Sequence, residues 1–484
     1  MRYLRVSVFV AIAVAATALV FSQETRRHWL AGDSHVHSHW SPGYDRTTNP
    51  PEPVQGGDAL YPTPQNARKA REFGLAWMVT TDHGGPNHSK LNLTRAYEEL
   101  KQSRQLVPDV VQFYGMELNM PAMDHHTLII PRTDDEWKTL FNIESQFDSN
   151  DAWPSDPARN SEAAGFRALT FMNGLRELPL MFANHPSRSA QGIGRYGLDE
   201  PREFRSNNDL APDIYRGMEG GPGHQAGGLA PDGSPKRDAE GRPAGNRGSY
   251  GNVNARTFGG FDQMTAIVGG LWDALLGEGR RFWIVATSDS HANFADATRP
   301  GSDFWPGQFH KSYVHARRSA DDILDGLRAG RMFVVAGDLV TELDMLASGP
   351  DASAAIGGTL RVKPGDEVRL TVTFRDPDGP NARGDNPTVN RIDLIVGQFT
   401  GPAANRNGDR NETARVAARF VPDDWSSEGN VHRISTIVPP FEKGGFIRVR
   451  GTNTDDAEPP MDNPGENPWS DLWFYSNPIF VEVR

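Results

Sequence analysis

Apolar and polar positions between residues 28 and 340 alternate between two periods, and that alternation predicts a fold. Short apolar runs of strand length lie at Trp29–His37, Leu75–Thr81, Val110–Leu118, Thr127–Ile130, Leu180–Asn184, Ile214–Glu219 and Phe282–Thr287. Between several of them apolar residues recur every three to four positions, which predicts helices over Pro64–Phe73, Leu91–Gln105, Ala163–Glu177, Phe261–Gly277 and Ala320–Ala329. Strands alternating with helices pack as parallel strands covered by helices. Closed into a barrel, such strands bring all their C-terminal ends to one face, where barrel enzymes carry their chemistry.

After Val340 the period falls to two. Runs at Leu360–Val362, Glu367–Phe374, Arg391–Val396, Thr413–Phe420, Val431–Val438, Gly445–Gly451 and Pro478–Val483, spaced by Pro, Gly, Asp and Asn, predict an antiparallel β-sandwich. The Asp/Asn-rich segment Asp376–Asp385 matches no calcium-loop spacing and reads as a plain turn. Within the first region, Pro186–Pro212 and Gly220–Gly260 are Gly/Pro-rich and lack apolar periodicity. Each follows a predicted strand and should overhang the strand ends, either as a lid that shapes a substrate site or as a surface insertion.

Composition narrows this picture. A chain of 484 residues exceeds one ordinary core, and a barrel with a smaller second domain is the natural division. A net charge of -12 argues against a nucleic-acid surface, which needs clustered Lys and Arg. Arg2 and Arg5 precede the apolar stretch Val6–Phe21, a pattern that predicts a signal peptide over residues 1–22 cut near Gln23. This sixteen-residue stretch falls short of the roughly 20 residues of a membrane span, so cleavage is favoured over a retained anchor. The expected division is therefore signal peptide 1–22, barrel 23–340 and sandwich 341–484. With no cysteine, the chain suits an oxidising periplasmic or extracellular compartment. Oligomeric state leaves no readable trace.

The candidate chemistry sits at the strand ends. His35 and His37, Asp82 with His83, Glu117, His125 with His126, His185, Glu219, and Asp289 with His291 each terminate or follow an apolar run. Imidazole nitrogens and carboxylate oxygens are good ligands for zinc, manganese or iron, and without cysteine they are the strong ligands available. In His35-Val36-His37 the strand period of two places both rings on one side. A lone His-x-His arises readily by chance. Its recurrence with Thr81-Asp82-His83 and Ser288-Asp289-Ser290-His291 at strand ends points to a multinuclear metallohydrolase.

The motif order His-x-His, Thr-Asp-His, Gly-x-Glu, a histidine opening a strand, Asn-His-Pro and Ser-Asp-Ser-His resembles that of the PHP (polymerase and histidinol phosphatase) superfamily, over roughly residues 28–340. Arg328–Val334 and Ser476–Val481 look like the exported branch related to carbamate-hydrolysing PHP enzymes. The resemblance implies a distorted seven-stranded (β/α)7 barrel followed by the sandwich, with two or three divalent metals (Zn, Mn or Fe). It implies one metal on His35, His37, Glu117 and Asp289, a second on Glu117, His125 and His185, and a third involving His83 and His291. By position, His125 is preferred to His126. The family usually places a further ligand within about ten residues of His-x-His; here the stretch reads Ser41-Pro42-Gly43-Tyr44-Asp45, and that ligand is missing unless Asp45 replaces it.

Two adjacent cations would lower the pKa of a shared water to give a bridging hydroxide that attacks in line. Asp289 or His291 would pass a proton to the leaving group. Arg188, His310 and Lys311, in loops after predicted strands, would either hold an anionic substrate or lie at the surface. The expected activity is hydrolysis of a small-molecule phosphomonoester or phosphodiester. Two alternatives stand beside it: hydrolysis of a carboxylic ester, amide or carbamate at the same site, and a noncatalytic protein whose sandwich binds polysaccharide or cell wall.

Overall fold

A computed structural model describes residues 26–248, 250 and 254–484 of the chain. The signal expected over residues 1–22 lies outside them. No helix among the described residues is long and apolar enough to cross a membrane.

A large mixed sheet organises the first two thirds of the chain. Its neighbouring strands there run Met332–Ala336, His310–Ala316, His28–Val36, Trp77–Thr80, Val111–Asn119, His125–Ile130, Leu180–Ala183, Tyr215–Gly221 and Trp283–Ala286. Trp77–Thr80, Leu180–Ala183 and Trp283–Ala286 are buried at every position, as strands sandwiched between layers must be. Most of the expected parallel pairs are present, with one departure in the middle. His125–Ile130 runs antiparallel to both of its neighbours. Only five residues separate it from Asn119, too few for the crossover that a parallel return needs. His28–Val36 is likewise antiparallel to His310–Ala316, a strand the apolar pattern did not predict.

The far edge of this sheet comes back to the first strand. Val36 bridges to Ser290, the Asp289 N–H donates to the His35 carbonyl at 3.0 Å, and the His37 N–H donates to the Ser290 carbonyl at 3.2 Å. These contacts, together with parallel pairing elsewhere, set the C-terminal ends of several strands side by side.

Helices pack on the sheet. Ala320–Ala329 forms where the pattern predicts it, capped by the Ser319 side chain and closed by Gly330 in the left-handed region (φ 70°). The long helix expected over 261–277 is two short ones, Gln263–Ala266 and Leu271–Gly277, because Gly269 (φ 76°) breaks the path between them. Glu136–Phe147 and Pro201–Leu210 are helices that the pattern missed.

Beyond residue 340 the chain forms a five-stranded antiparallel sheet, ordered Ser353–Ala355, Glu342–Ser348, Arg369–Arg375, Val431–Ile437, Ser426–Glu428. Glu342–Ser348 and Arg369–Arg375 alternate buried and open positions, the signature of one solvated face. The other strands of this region extend the large sheet. Trp473–Ser476 pairs with Met332–Ala336, and Gly444–Thr452 and Ile479–Val483 follow it. Thr359–Val362 joins the edge parallel to Ile479–Val483, an exception to the antiparallel expectation.

Candidate metal centre

The expected ligands lie near strand ends: His125 opens its strand, Glu117 stands two residues before the end of Val111–Asn119, and the others close a strand or lie in the turn that follows one. His35 and His37 close the first strand, with their Nε2 atoms 2.9 Å apart. Two ring nitrogens this close need a shared proton or a shared cation between them. His35 Nε2 is 3.5 Å from Glu117 Oε2 and 3.2 Å from Asp289 Oδ1; His37 Nε2 is 3.4 and 3.1 Å from the same oxygens. Ligand atoms about 2.0–2.1 Å from a tetrahedral centre lie roughly 3.3 Å from one another, so these separations fit one divalent ion. Glu117 Oε2 and Asp289 Oδ1 are buried without a hydrogen-bond donor, which is the state expected of oxygens shaped to receive a cation.

Glu117 faces two ways. Its Oε1 is 3.2 Å from His125 Nδ1 and 3.0 Å from His185 Nε2, while its Oε2 is 2.9 Å from His83 Nδ1. His83 Nε2 and His291 Nε2 are 3.8 and 3.3 Å from Asp58 Oδ2. Sets of such atoms lying together include His35, His37, Glu117 and Asp289, then His83, Glu117 and His125, then His37, Asp58, His83 and His291. The predicted residues therefore converge, and the donor chemistry suits zinc, manganese or iron.

Neighbouring groups orient the rings. Glu219 Oε1 is 2.7 Å from His35 Nδ1 and its Oε2 accepts the His185 backbone N–H at 2.6 Å, so Glu219 supports ligands instead of joining them. Asp33 accepts the backbone N–H of His35 and of Ser288, tying the first and last strands together. Asp82 accepts the Ser38 N–H and hydroxyl and fixes the turn after His37. His185 (φ 29°) and Asp289 (φ 46°) hold left-handed conformations that cost a non-glycine residue of order 1–3 kcal/mol, a strain typical of functional sites.

Two cluster residues escaped the sequence reading. Asp58, not Asp45, is the acid that reaches the cluster after His-x-His. Asp45 lies exposed in a small hairpin, Gly43–Asp45 with Glu52–Val54, its carboxylate accepting from Thr47. The hairpin carries the chain out and Asp58 meets it on the way back, a placement that no local spacing encodes. His224 enters from Gly220–Gly260, where it is the only histidine, and that isolation was the one available signal. Its Nε2 is 3.0 Å from Asp289 Oδ2, its Nδ1 is bound to Asp303, and its φ of 54° is left-handed.

Other expectations resolve plainly. His126 turns away from the cluster to Tyr215 Oη at 3.0 Å, because successive strand residues face opposite sides. His310 is buried at the start of its own strand against Phe261 and Phe309, and Lys311 pairs with Asp338 at 2.7 Å, so neither reaches the cluster. Arg188 does, lining a cavity of about 420 Å³ over the cluster while paired with Asp124.

Burial alone would push the Glu117 and Asp289 carboxyls up. The histidines around them outweigh it and hold both well below the usual carboxylate range. Burial lowers His35 and His291, but Asp289 and its fellow acids outweigh it, raising His35 well above its ordinary value and His291 to about 9. His83 goes the other way, pushed down to about 4 chiefly by burial. His35 and His291 thus stand as imidazolium rings beside the ionised Glu117 and Asp289 carboxylates.

No protein-family model matches this chain, and no curated protein matches it. The chain is a mixed α/β protein with buried His, Glu and Asp clusters that fit metal ions.

Proposed function

We propose that this protein is an exported, metal-dependent hydrolase of phosphoesters, built on a PHP-type barrel with a C-terminal sandwich. The observation that carries the reading is Glu117, a buried carboxylate whose two oxygens face two separate groups of histidines. In this reading His35, His37, Glu117 and Asp289 hold one divalent ion, Glu117, His125 and His185 a second, and Asp58, His83 and His291 a third. Bound ions of this kind acidify water to a nucleophile at neutral pH and offset charge on phosphoryl oxygens.

The chain's own groups supply the rest. Arg188 and Arg299 line the cavity, adding positive charge where a phosphoryl group would sit; Arg299 is braced by the Gly57 carbonyl at 3.0 Å. Asp289 is held ionised beside His224 and accepts protons instead of donating them. Of the two expected proton carriers this leaves His291, in the form of the site where no third ion occupies its ring; burial lowers that ring, but Asp289 and Asp58 outweigh it and raise it to about 9.

The test is turnover by protein loaded with zinc, manganese or iron, offered aryl phosphates, phosphodiesters and carboxylic esters. Phosphate release is expected. Cleavage of carboxylic esters alone would replace the phosphoester reading with a carbonyl one, and no turnover of any would leave a binding protein.

A further inference from the structure

A cleft of about 820 Å³ opens beside the cluster and shares Asp58, His83 and His125 with it. Its floor is Gly84-Gly85-Pro86, directly after His83. A Cβ on Gly85 would stand 2.5 Å from the Tyr44 hydroxyl and 2.6–2.7 Å from Tyr44 ring carbons, so glycine there lets the ring lie against the floor. Trp153 lines the same cleft, is 42% exposed, and its Nε1 donates to Asn49 Oδ1 at 2.7 Å, tying its loop to the hairpin that carries Tyr44. No ring of the described residues stacks on Tyr44 or Trp153, although aromatic side chains elsewhere in the fold are paired extensively. Among the described residues Asp58, a member of the cluster, is the only acid lining the cleft, whereas Arg46 lines it and forms no ion pair. Arg46 therefore offers the cleft a guanidinium that no carboxylate of the described residues pairs, on a chain of net charge -12.

We propose that this cleft receives the alcohol portion of the substrate, and that this portion is an aromatic ring bearing a second anionic group. The inference rests on the phosphoesterase reading: with the phosphoryl group at the cluster, the alcohol is what remains to be held. Aromatic rings prefer offset or edge contacts with other rings, and Tyr44 and Trp153 both line the cleft without a ring partner among the described residues. Arg46 supplies the paired N–H donors that suit a carboxylate or phosphate. The volume falls in the range of small-molecule sites, roughly 300–1,000 Å³. In the reaction, water adds to phosphorus, the bond from phosphorus to the alcohol oxygen breaks, and the alcohol leaves with one of the water's protons.

The test compares three esters of similarly basic primary alcohols: ethyl phosphate, 2-naphthylmethyl phosphate and the latter with a carboxylate at ring position 6. Metal-loaded full-length protein should show kcat/KM at least tenfold higher for the naphthyl ester than for ethyl phosphate, and a further rise with the carboxylate. Trp153→Ala should cut the naphthyl-to-ethyl ratio at least fivefold, and Arg46→Gln should remove the carboxylate gain. Trp137→Ala, an exposed tryptophan outside the cleft, should change neither ratio. Equal kcat/KM for ethyl and naphthyl esters, or a preference untouched by Trp153→Ala, overturns the inference and leaves the phosphoesterase reading standing. Should no phosphate ester turn over, that reading fails first. Calorimetry with 2-naphthylmethylphosphonate then decides the cleft: binding lost in Trp153→Ala upholds it, and binding unchanged or absent in the parent protein overturns it.

Discussion

Glu117 is the residue on which the two halves of the cluster depend, since one carboxylate serves His83, His35 and His37 through one oxygen and His125 and His185 through the other. Glutamine keeps the shape but loses the charge and one acceptor. Glu117→Gln is expected to lower bound metal by at least half, read by elemental analysis, while thermal unfolding stays cooperative. His185→Ala should lower metal and activity together but spare the site on His35, His37 and Asp289. A second expectation concerns protons. Cations take only deprotonated imidazoles, and His35 and His291 are held protonated around neutrality by their carboxylate neighbours. Metal binding should therefore release protons, and apparent affinity should fall as pH falls. Calorimetric titrations in buffers of different ionisation enthalpy read both; heats independent of buffer would contradict the paired, protonated cluster. His224 is a third case. Asp303 pins its Nδ1 and so aims its Nε2 at Asp289, and supports of this kind commonly contribute 10–100-fold to metal affinity. Asp303→Asn should weaken metal binding by about that factor without removing a ligand.

At the scale of elements, strands ending in ligands were readable because their apolar runs are short, continuous and stopped by an acid or histidine. The two missed helices were not, for a shared reason. The buried face of Glu136–Phe147 carries Glu136 and Glu144 beside Leu140 and Ile143, and that of Pro201–Leu210 carries Arg205, Asn207 and Asn208 beside Phe204. Polar groups interrupt each apolar stripe, and only tertiary partners make them tolerable inside. Arg104 bonds Glu136, Glu278 bonds Arg205, and His88 sits 2.5 Å from Glu144. Asp58 and His224 were hidden in the same way, placed by loop paths and not by local period. The His88–Glu144 pair gives a prediction with a sign. Burial lowers His88, but Glu144 outweighs it and lifts the ring to about 9, above the roughly 6.5 of the unfolded chain. The pair's contribution is complete below about 6.5 and is lost as pH rises through about 9. His88→Gln should thus be less stable than the parent at pH 6, with the gap closing by pH 10. Urea midpoints of both proteins across that range measure it, and a constant gap would show that His88 does not gain a proton on folding.

At the scale of the whole molecule, hydrogen bonding runs straight past residue 340. Met332–Ala336 has Trp473–Ser476 as its outer neighbour, and the Asn477 side chain both donates to the Ile284 carbonyl and accepts the Ile284 N–H in the strand leading to Asp289. The stretch that carries His224 is held from the same side. Arg247 is buried among Asp462, Glu466 and Asp471 at 3.2, 3.3 and 2.7 Å, and its guanidinium also donates to the Pro468 carbonyl. Residues 462–477 therefore brace both the Asp289 strand and the His224 loop from a distance in sequence of about 180–240 residues. Removing the guanidinium alone leaves buried carboxylates without a partner, which typically costs about 3–5 kcal/mol. Arg247→Met should lower the unfolding temperature and also weaken metal binding, because the His224 loop loses its anchor. Cutting the chain after residue 340 goes further, stripping the neighbour from Met332–Ala336 and exposing an apolar strand edge that invites aggregation. A fragment ending there should be poorly soluble, unfold without cooperativity and bind metal more weakly than the full chain. A soluble fragment with full metal affinity would show instead that the cluster is self-sufficient and that the C-terminal strands serve another purpose.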